Sequence, residues 1–447
     1  MKITLIRPNL SDVRSSDAMQ PLVFAVLRAL TPPDVEVDLL DEHVEEIPTD
    51  HATDLVALSV ETYTARRAYQ IAAAFRRRGI PVVMGGCHPT FLPEEAGQFA
   101  DAVVIGDAEG LWEQVVADAR QGRLQRTYRQ RDLPPLQGLR QDRSVFRGKR
   151  YTPILPVQYG RGCRFACDFC SIHALYGSRL RQRPVDEVAD EIKAMRAAYV
   201  FFVDDNLLVS EPQAEELFRA LVPLKVRWAG QVSVDVAHNA RLLDLMAKSG
   251  CITVVVGFES LHAENLKQMG KAWSLRYGAY DSAIRAFQER GIMVYGTFIF
   301  GYDQDTADTF DEVVDFALRA NLCLANFNPL TPTPGTRLYE RLRAEGRLIY
   351  DPWWLDPAYR YGQAIFHPRG MTAQELTEGC FRARRAFNRY AAILRRTLGP
   401  ANHRSLRQLG IFLAANLVSR REILRKQNLP LGLDAGSAPG PYTPGEP

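Results

Sequence analysis

Short apolar runs recur along this chain with helical patterns between them, and no other feature limits its fold so tightly. In residues 1–122 the runs are KITLIRP (Lys2–Pro8), VEVDLLDE (Val35–Glu42), DLVALSV (Asp54–Val60), IPVVMGG (Ile80–Gly86) and DAVVIGD (Asp101–Asp107). PLVFAVLRAL (Pro21–Leu30) and RRAYQIAAAFRRRG (Arg66–Gly79) carry the helical period, and Gly79 is a stop signal. A short helix is expected near Pro93 and another from about Ala108. Strands joined by helical crossovers pair in parallel and leave a ligand crevice beyond their carboxyl ends. The spacing therefore predicts a Rossmann-like, doubly wound α/β domain over residues 1–122.

A second series begins at ILPVQYGRG (Ile154–Gly162) and continues through YVFFVDDN, VRWAGQVSV, CITVVVGFES, GIMVYGTFIFG and LCLANFNPL, ending at Leu330. Helical patterns such as VDEVADEIKAMRAA and TADTFDEVVDFALRA separate these strands, which predicts a partial (β/α)6 TIM-type barrel over 151–340. Residues 123–150 lack periodicity and read as a solvated, extended linker. Residues 341–426 read as a helical C-terminal region. Residues 427–447, which end in DAGSAPGPYTPGEP, read as a disordered tail.

Fifty-five basic residues against 52 acidic ones leave a net charge of +3, which argues against nucleic acid as a partner. The run LGIFLAANLV (Leu409–Val418) is about half a membrane span, so no transmembrane segment is expected. MKITLIRPNL has no signal-peptide pattern, which points to the cytoplasm. Of seven cysteines, three cluster while Cys87, Cys251, Cys323 and Cys380 are scattered. That pattern suits a reducing compartment and a metal better than a disulfide framework.

The cluster is RGCRFACDFCS (Arg161–Ser171), with Cys163, Cys167 and Cys170 spaced C-x3-C-x2-C. Structural zinc wants four ligands, usually in two separated pairs, and drafting His173 as the fourth would strain the shell. An iron–sulfur cube held by three thiolates keeps one iron open for a small molecule. The trio also follows a predicted barrel strand, where active-site residues are normally placed.

Over residues 151–335 this pattern resembles the radical S-adenosylmethionine superfamily, including Phe169 before the third cysteine. The resemblance implies a [4Fe-4S] cluster on the three cysteines, whose open iron chelates S-adenosyl-L-methionine. Cleavage of that molecule then yields a 5′-deoxyadenosyl radical. By the same resemblance Asp204, Asp205 and Asn206 meet the methionine amino group. Glu259 binds ribose, with Gly257 allowing close backbone approach, and the strand of Gly296 contacts adenine. Each has a plainer reading: a helix N-cap for the Asp/Asn group, an ion pair with an arginine for Glu259, and ordinary strand or turn glycines at Gly296 and Gly301.

The front domain resembles the cobalamin-binding domains fused ahead of many such enzymes, through ALSVETYTARRAY, MGGCHPTFLPEEA and DAVVIGDAEGLW. The resemblance implies that Ser59, Thr62 or Thr64, Gly85 and Gly86 cradle cobalamin, with Gly106 and Glu109 beside its nucleotide tail. The loop RPNLSDVRSSDAM after the first strand holds no histidine, so cobalt is expected without a histidine ligand. His43, His51 and His88 read as structural or surface residues, and Cys87 as a small packing residue.

The fusion implies methyl transfer from S-adenosylmethionine via methylcobalamin to an unactivated carbon, or phosphorus, of a small molecule. An electron donor such as flavodoxin or ferredoxin is implied as well. One alternative keeps the cofactors but catalyses rearrangement, cyclisation or oxidation; another is a non-catalytic cluster- and corrinoid-binding protein. In the C-terminal region, Leu376, Cys380, Ala383, Phe387, Ala391, Leu394 and Leu398 form a helical apolar stripe flanked by arginines. It reads as a packing helix with a solvated face, or as a basic surface for an anionic or lipid-like substrate; peripheral membrane contact is compatible with either. Trp353, Trp354, Tyr359 and Tyr361 either cap the barrel mouth or fasten the last region to it.

Overall fold

The structure is a computed structural model that describes residues 1–208 and 210–433. Two six-stranded parallel sheets organise it. The first comprises β1 (Lys2–Arg7), β2 (Glu36–Asp41), β3 (Leu55–Ser59), β4 (Val82–Gly85), β5 (Ala102–Ile105) and β6 (Thr127–Arg129), in the order β2-β1-β3-β4-β5-β6. The order reverses between β1 and β3, which opens a crevice at their carboxyl ends. Its central strands are apolar at successive positions because both faces are covered. Ile3, Leu5, Ala57 and Val83 meet helices 22–30 and 112–120, whereas Ile6, Val56, Leu58 and Met84 meet helix 65–76 on the other side.

The second sheet starts with β7 (Leu155–Val157). A small antiparallel clip of β8 (Gly160–Arg161) and β9 (Arg181–Gln182) intervenes before β10 (Tyr199–Phe202), β11 (Arg227–Val232), β12 (Cys251–Glu259), β13 (Met293–Phe300) and β14 (Leu324–Pro329). The strands run in sequence order from β7 through β10 to β14, and the sheet curves as an unclosed barrel. Its helices bury Val188, Leu217, Phe218, Ile284, Phe287 and Phe310 in one continuous core.

Several expectations change. The linker 123–150 contains β6, whose three residues bury only Tyr128 and so offer no period to read. Residues 427–433 are not a free tail: Leu431 is buried, Gly432 N donates to Leu10 O at 2.6 Å, and Leu433 N donates to Gln70 Oε1 at 2.9 Å. The remainder of the expected tail, 434–447, lies outside the described residues. The single C-terminal stripe is broken. Helices 373–387 and 390–397 part at Asn388, and this turn rotates the face. Leu376, Cys380, Ala383 and Phe387 remain inside, but Leu394 and Leu398 are 64% and 78% exposed, and Ile393 and Arg396 are buried instead.

Trp353 and Trp354 fasten rather than cap. Trp353 packs on Tyr63 at 4.8 Å and donates to Pro332 O at 2.8 Å, while Trp354 Nε1 donates to Glu95 of the front domain at 3.0 Å. Tyr359 is buried against Trp353, and Tyr361 lies edge-on to Tyr63.

Candidate functional site

The loop that carries the three cysteines is fixed before they are reached. β8 and β9 clip its two ends together. Between them Gly162 adopts φ +96°, and a Cβ there would lie 2.2 Å from Arg179 O, so only glycine fits. Asp204 accepts hydrogen bonds from Tyr159 N at 3.0 Å and from Gly160 N, and Asp205 accepts from Gly162 N at 2.8 Å. The two carboxylates thus hold the backbone leading to Cys163. On the far side Asp168 pairs with Arg341 at 2.8 Å and accepts from Tyr302 Oη at 2.6 Å.

A cavity of about 330 Å³ opens at this end of the barrel. Cys163, Cys167, Cys170, Phe169, Asp204, Asp205, Asn206, Gly257 and Glu259 all line it, gathered from three separate segments of the barrel. Burial pushes the Cys167 thiol up to about 12 and raises Cys170 as well. At these two positions burial disfavours the thiolate until a cation supplies the opposing charge. Among the described residues no three His, Cys, Asp or Glu side chains converge to hold a single ion, and His173 does not line the cavity. The cavity offers three thiols, a set that suits an iron–sulfur cluster with one open iron.

Burial pushes Asp204 up to about 7, with Asp205 adding repulsion, and raises Asp205 too. Neither is a helix cap, since the next helix begins at Glu211 behind Ser210. Asn206 Nδ2 donates to Ser233 Oγ at 3.3 Å. Glu259, at φ +66°, pairs with buried Lys271 at 2.9 Å, not with an arginine. Lys271 also donates to Gly257 O at 2.7 Å. A Cβ on Gly257 would sit 2.2 Å from Glu259 Oε1, so that glycine makes room for the pair. Gly296 does not line the cavity. A Cβ there would meet Leu322 at 2.8 Å and Phe258 at 3.2 Å, both in the sheet–helix core.

A second cavity, about 420 Å³, lies at the carboxyl ends of β3, β4 and β5. Ser59, Gly85, Gly86, Gly106 and Glu109 line it, together with Val26, Leu27, Val83 and Val104. Gly86 adopts φ +104°, and a Cβ would lie 2.7 Å from Val60 O, so its backbone is bare toward the cavity. Thr62 and Thr64 do not line it. Thr64 Oγ1 accepts from Glu61 N at 3.1 Å to cap the following turn, and Thr62 Oγ1 lies 3.4 Å from His88 Nδ1 in the interior. Cys87 lines the cavity edge, its thiol pushed up to about 12 by burial. His88 is buried against Tyr69 and Glu95, His51 pairs with Asp38 and His43 with Asp41, and none of the three reaches the cavity.

The two cavities adjoin, with Val203 in the wall of both. Arg161, the residue before the cysteine loop, crosses to the front domain and pairs with Glu109 at 2.7 Å and Asp107 at 3.1 Å. Arg181 and Tyr176 Oη complete the set around Asp107 at 2.7 and 2.8 Å.

The family model described as the radical SAM superfamily matches residues 157–317, and that of the B12 binding domain matches residues 23–116. The bacteriochlorophyllide d C-12(1)-methyltransferase of Chlorobaculum tepidum is 30% identical over 404 residues, covering 87% of each chain. This chain belongs to the cobalamin-dependent radical S-adenosylmethionine methyltransferases. The bacteriochlorophyllide d C-8(2)-methyltransferase of the same organism is 29% identical and covers 74% of this chain and 78% of its own. The fold matches that of TsrM from Kitasatospora setae, solved with tryptophan and a SAM analog, at a TM-score of 0.62 and 19% identity over 77% of this chain and 76% of that one.

The methyltransferase thus uses cobalamin, S-adenosylmethionine and a [4Fe-4S] cluster. Two of its features escaped the sequence reading: the Arg161 bridge and Lys271 with its neighbour Trp273. Trp273 stacks on Phe165 at 3.8 Å across the cluster loop. Arg161 adjoins the trio and could have been found by asking what its charge meets. Lys271 stands in an unremarkable turn and carried no signal.

Proposed function

We propose that the enzyme methylates an unactivated carbon of a small molecule held where its two cavities meet. The observation that carries this reading is Val203, which lines both cavities and so brings them side by side. When bound, the cofactors supply a methyl group on cobalt from one side and a hydrogen-abstracting carbon radical from the other. Everything else is positioning.

In this reading Cys163, Cys167 and Cys170 hold the cluster. Asp205 and Asn206 present oxygen acceptors to the methionine amino group, while Asp204 is spent on the loop backbone. Phe169 packs against the ligand. Glu259, paired with Lys271 at 2.9 Å, accepts from the ribose hydroxyls, and Gly257 gives them room. The role given to Gly296 is withdrawn in favour of packing. In the front cavity Ser59, Gly85, Gly86 and Gly106 bring bare backbone to the corrinoid, and Glu109 fixes the edge through Arg161. Thr62 and Thr64 act only by shaping that loop. A one-electron donor of the flavodoxin or ferredoxin class reduces the enzyme, and the reducing cytoplasm suits its seven free cysteines.

The test is to incubate the anaerobic, fully loaded enzyme with reductant and S-adenosylmethionine. Formation of both S-adenosylhomocysteine and 5′-deoxyadenosine is expected. 5′-Deoxyadenosine alone would assign a non-methylating radical reaction instead, and neither product would leave a binding protein.

A further inference from the structure

The C-terminal helices gather an unusual surface that lines neither cavity. Residues 381–426 hold eleven arginines and one lysine against a single carboxylate, Glu422, so the rest of the chain is net acidic. Glu422 is itself buried and paired with Arg425 and Lys426. Within this segment a pocket of about 120 Å³ is walled by Arg384, Arg385, Arg389 and Arg420, with Asn388 and Leu424 beside them. No carboxylate lines it. Arg384 donates to Phe327 O at 2.8 Å and Asn328 Oδ1 at 3.1 Å, and Arg420 donates to Asn388 O at 3.0 Å, so these guanidinium groups are oriented by neutral partners. Four cations held together without an anion make a site for phosphate or carboxylate oxygens.

The surroundings of the pocket are apolar and uncovered. Six of the ten large hydrophobic side chains exposed among the described residues lie here: Tyr390, Leu394, Leu398, Leu406, Leu417 and Leu424. Tyr390, Leu394 and Leu398 follow one another at four-residue steps, so they share a helix face. Leu406, Leu417 and Leu424 are spaced by eleven and seven residues and share a face of helix 406–426. The two stripes join at the pocket, where the Arg420 guanidinium lies 4.3 Å from the Tyr390 ring centroid. Exposed leucines rimmed by arginines are the composition of a helix that lies on a bilayer, and neither helix is long and apolar enough to cross one.

We propose that the face formed by helices 390–397 and 406–426 docks on an anionic membrane, the arginine pocket taking a lipid phosphate and the leucines entering the acyl boundary. Charge chooses this occupant. A second copy of the chain docked two-fold on the same face would set arginines against arginines, and nucleic acid would leave the leucines uncovered. The proposal is independent of the methyl-transfer reading.

The test is sedimentation of the full-length, cofactor-loaded protein with phosphatidylglycerol vesicles and with phosphatidylcholine vesicles at the same salt. Binding to the first and at least tenfold weaker binding to the second are expected, with loss of binding as salt is raised. R385Q/R389Q and L394S/L398S should each lower the bound fraction at least tenfold while iron and cobalamin contents stay unchanged. Equal binding to both vesicles, no vesicle binding, or binding that both double variants retain would overturn the proposal. So would a dimer that L394S/L398S dissociates, RNA binding that R385Q/R389Q abolishes, or inorganic phosphate that stabilises the protein through the arginines while vesicles do not bind.

Discussion

The front cavity is walled mainly by valines, leucines and bare glycine backbone, with Glu61, Asp107, Glu109 and Arg161 among them, whereas the barrel cavity sets three thiols, three carboxylates and a lysine among aromatic side chains. The first selects its ligand by shape and close approach, so its weak point is steric. The second selects by charge, and its weak point is an ion left without a partner. Because the two cavities have only Val203 in common among their lining residues, each can be broken while the other is read out as a control.

The largest effect is expected at the thiols. Cys167→Ala should abolish bound iron and turnover while cobalamin stays bound; iron analysis and an absorption spectrum of the anaerobic protein check this, and retained iron would defeat the assignment. Next is Lys271→Met, which strands the buried Glu259 carboxylate. A loss of about 3 kcal/mol is expected in denaturant unfolding, together with weaker S-adenosylmethionine binding. Lys271→Met combined with Glu259→Gln should recover much of that stability, since the stranded charge is gone.

A third prediction isolates burial from metal chemistry within the same barrel. Asp305 accepts from Gly301 N at 2.8 Å, Tyr302 N at 3.2 Å and Asn265 Nδ2 at 2.8 Å, and burial pushes it up to about 6. A carboxyl raised in the folded state holds more protons folded than unfolded. Stability should therefore fall as pH rises from about 4 to about 6, by at most about 3 kcal/mol. Asp305→Asn should remove that component of the slope in pH-dependent unfolding, and an unchanged slope would count against it. The smallest effect belongs to the front cavity. Gly86→Ala places a Cβ against Val60 O at positive φ and should cost about 2 kcal/mol, with cobalamin binding weakened and iron content intact. Loss of both cofactors together would erase the distinction between the cavities.

What was legible follows from how each residue acts. That the trio shares one cavity could be read because its three cysteines sit within a single loop. Gly85 and Gly86 could be read because a glycine pair straight after a buried strand marks close backbone approach. Thr62, Thr64 and Gly296 were misjudged for a common reason: the right segment was found, but one residue's difference decides whether a side chain faces ligand or core. For Leu394 and Leu398 the fault was a helix break at Asn388, which carries neither Gly nor Pro to announce it. β6 was too short for any pattern.

The sequence by itself determined two parallel sheets and a three-cysteine loop, since periodicity and local spacing are properties of neighbours along the chain, and its resemblance to a known family implied the pairing of cofactors. Only the tertiary structure decided that Arg161 reaches Asp107 and Glu109, that Lys271 pairs with Glu259, and that one valine lines both chambers. Those facts join residues far apart in the chain, and the choice among many possible partners is made by packing, which no local pattern encodes.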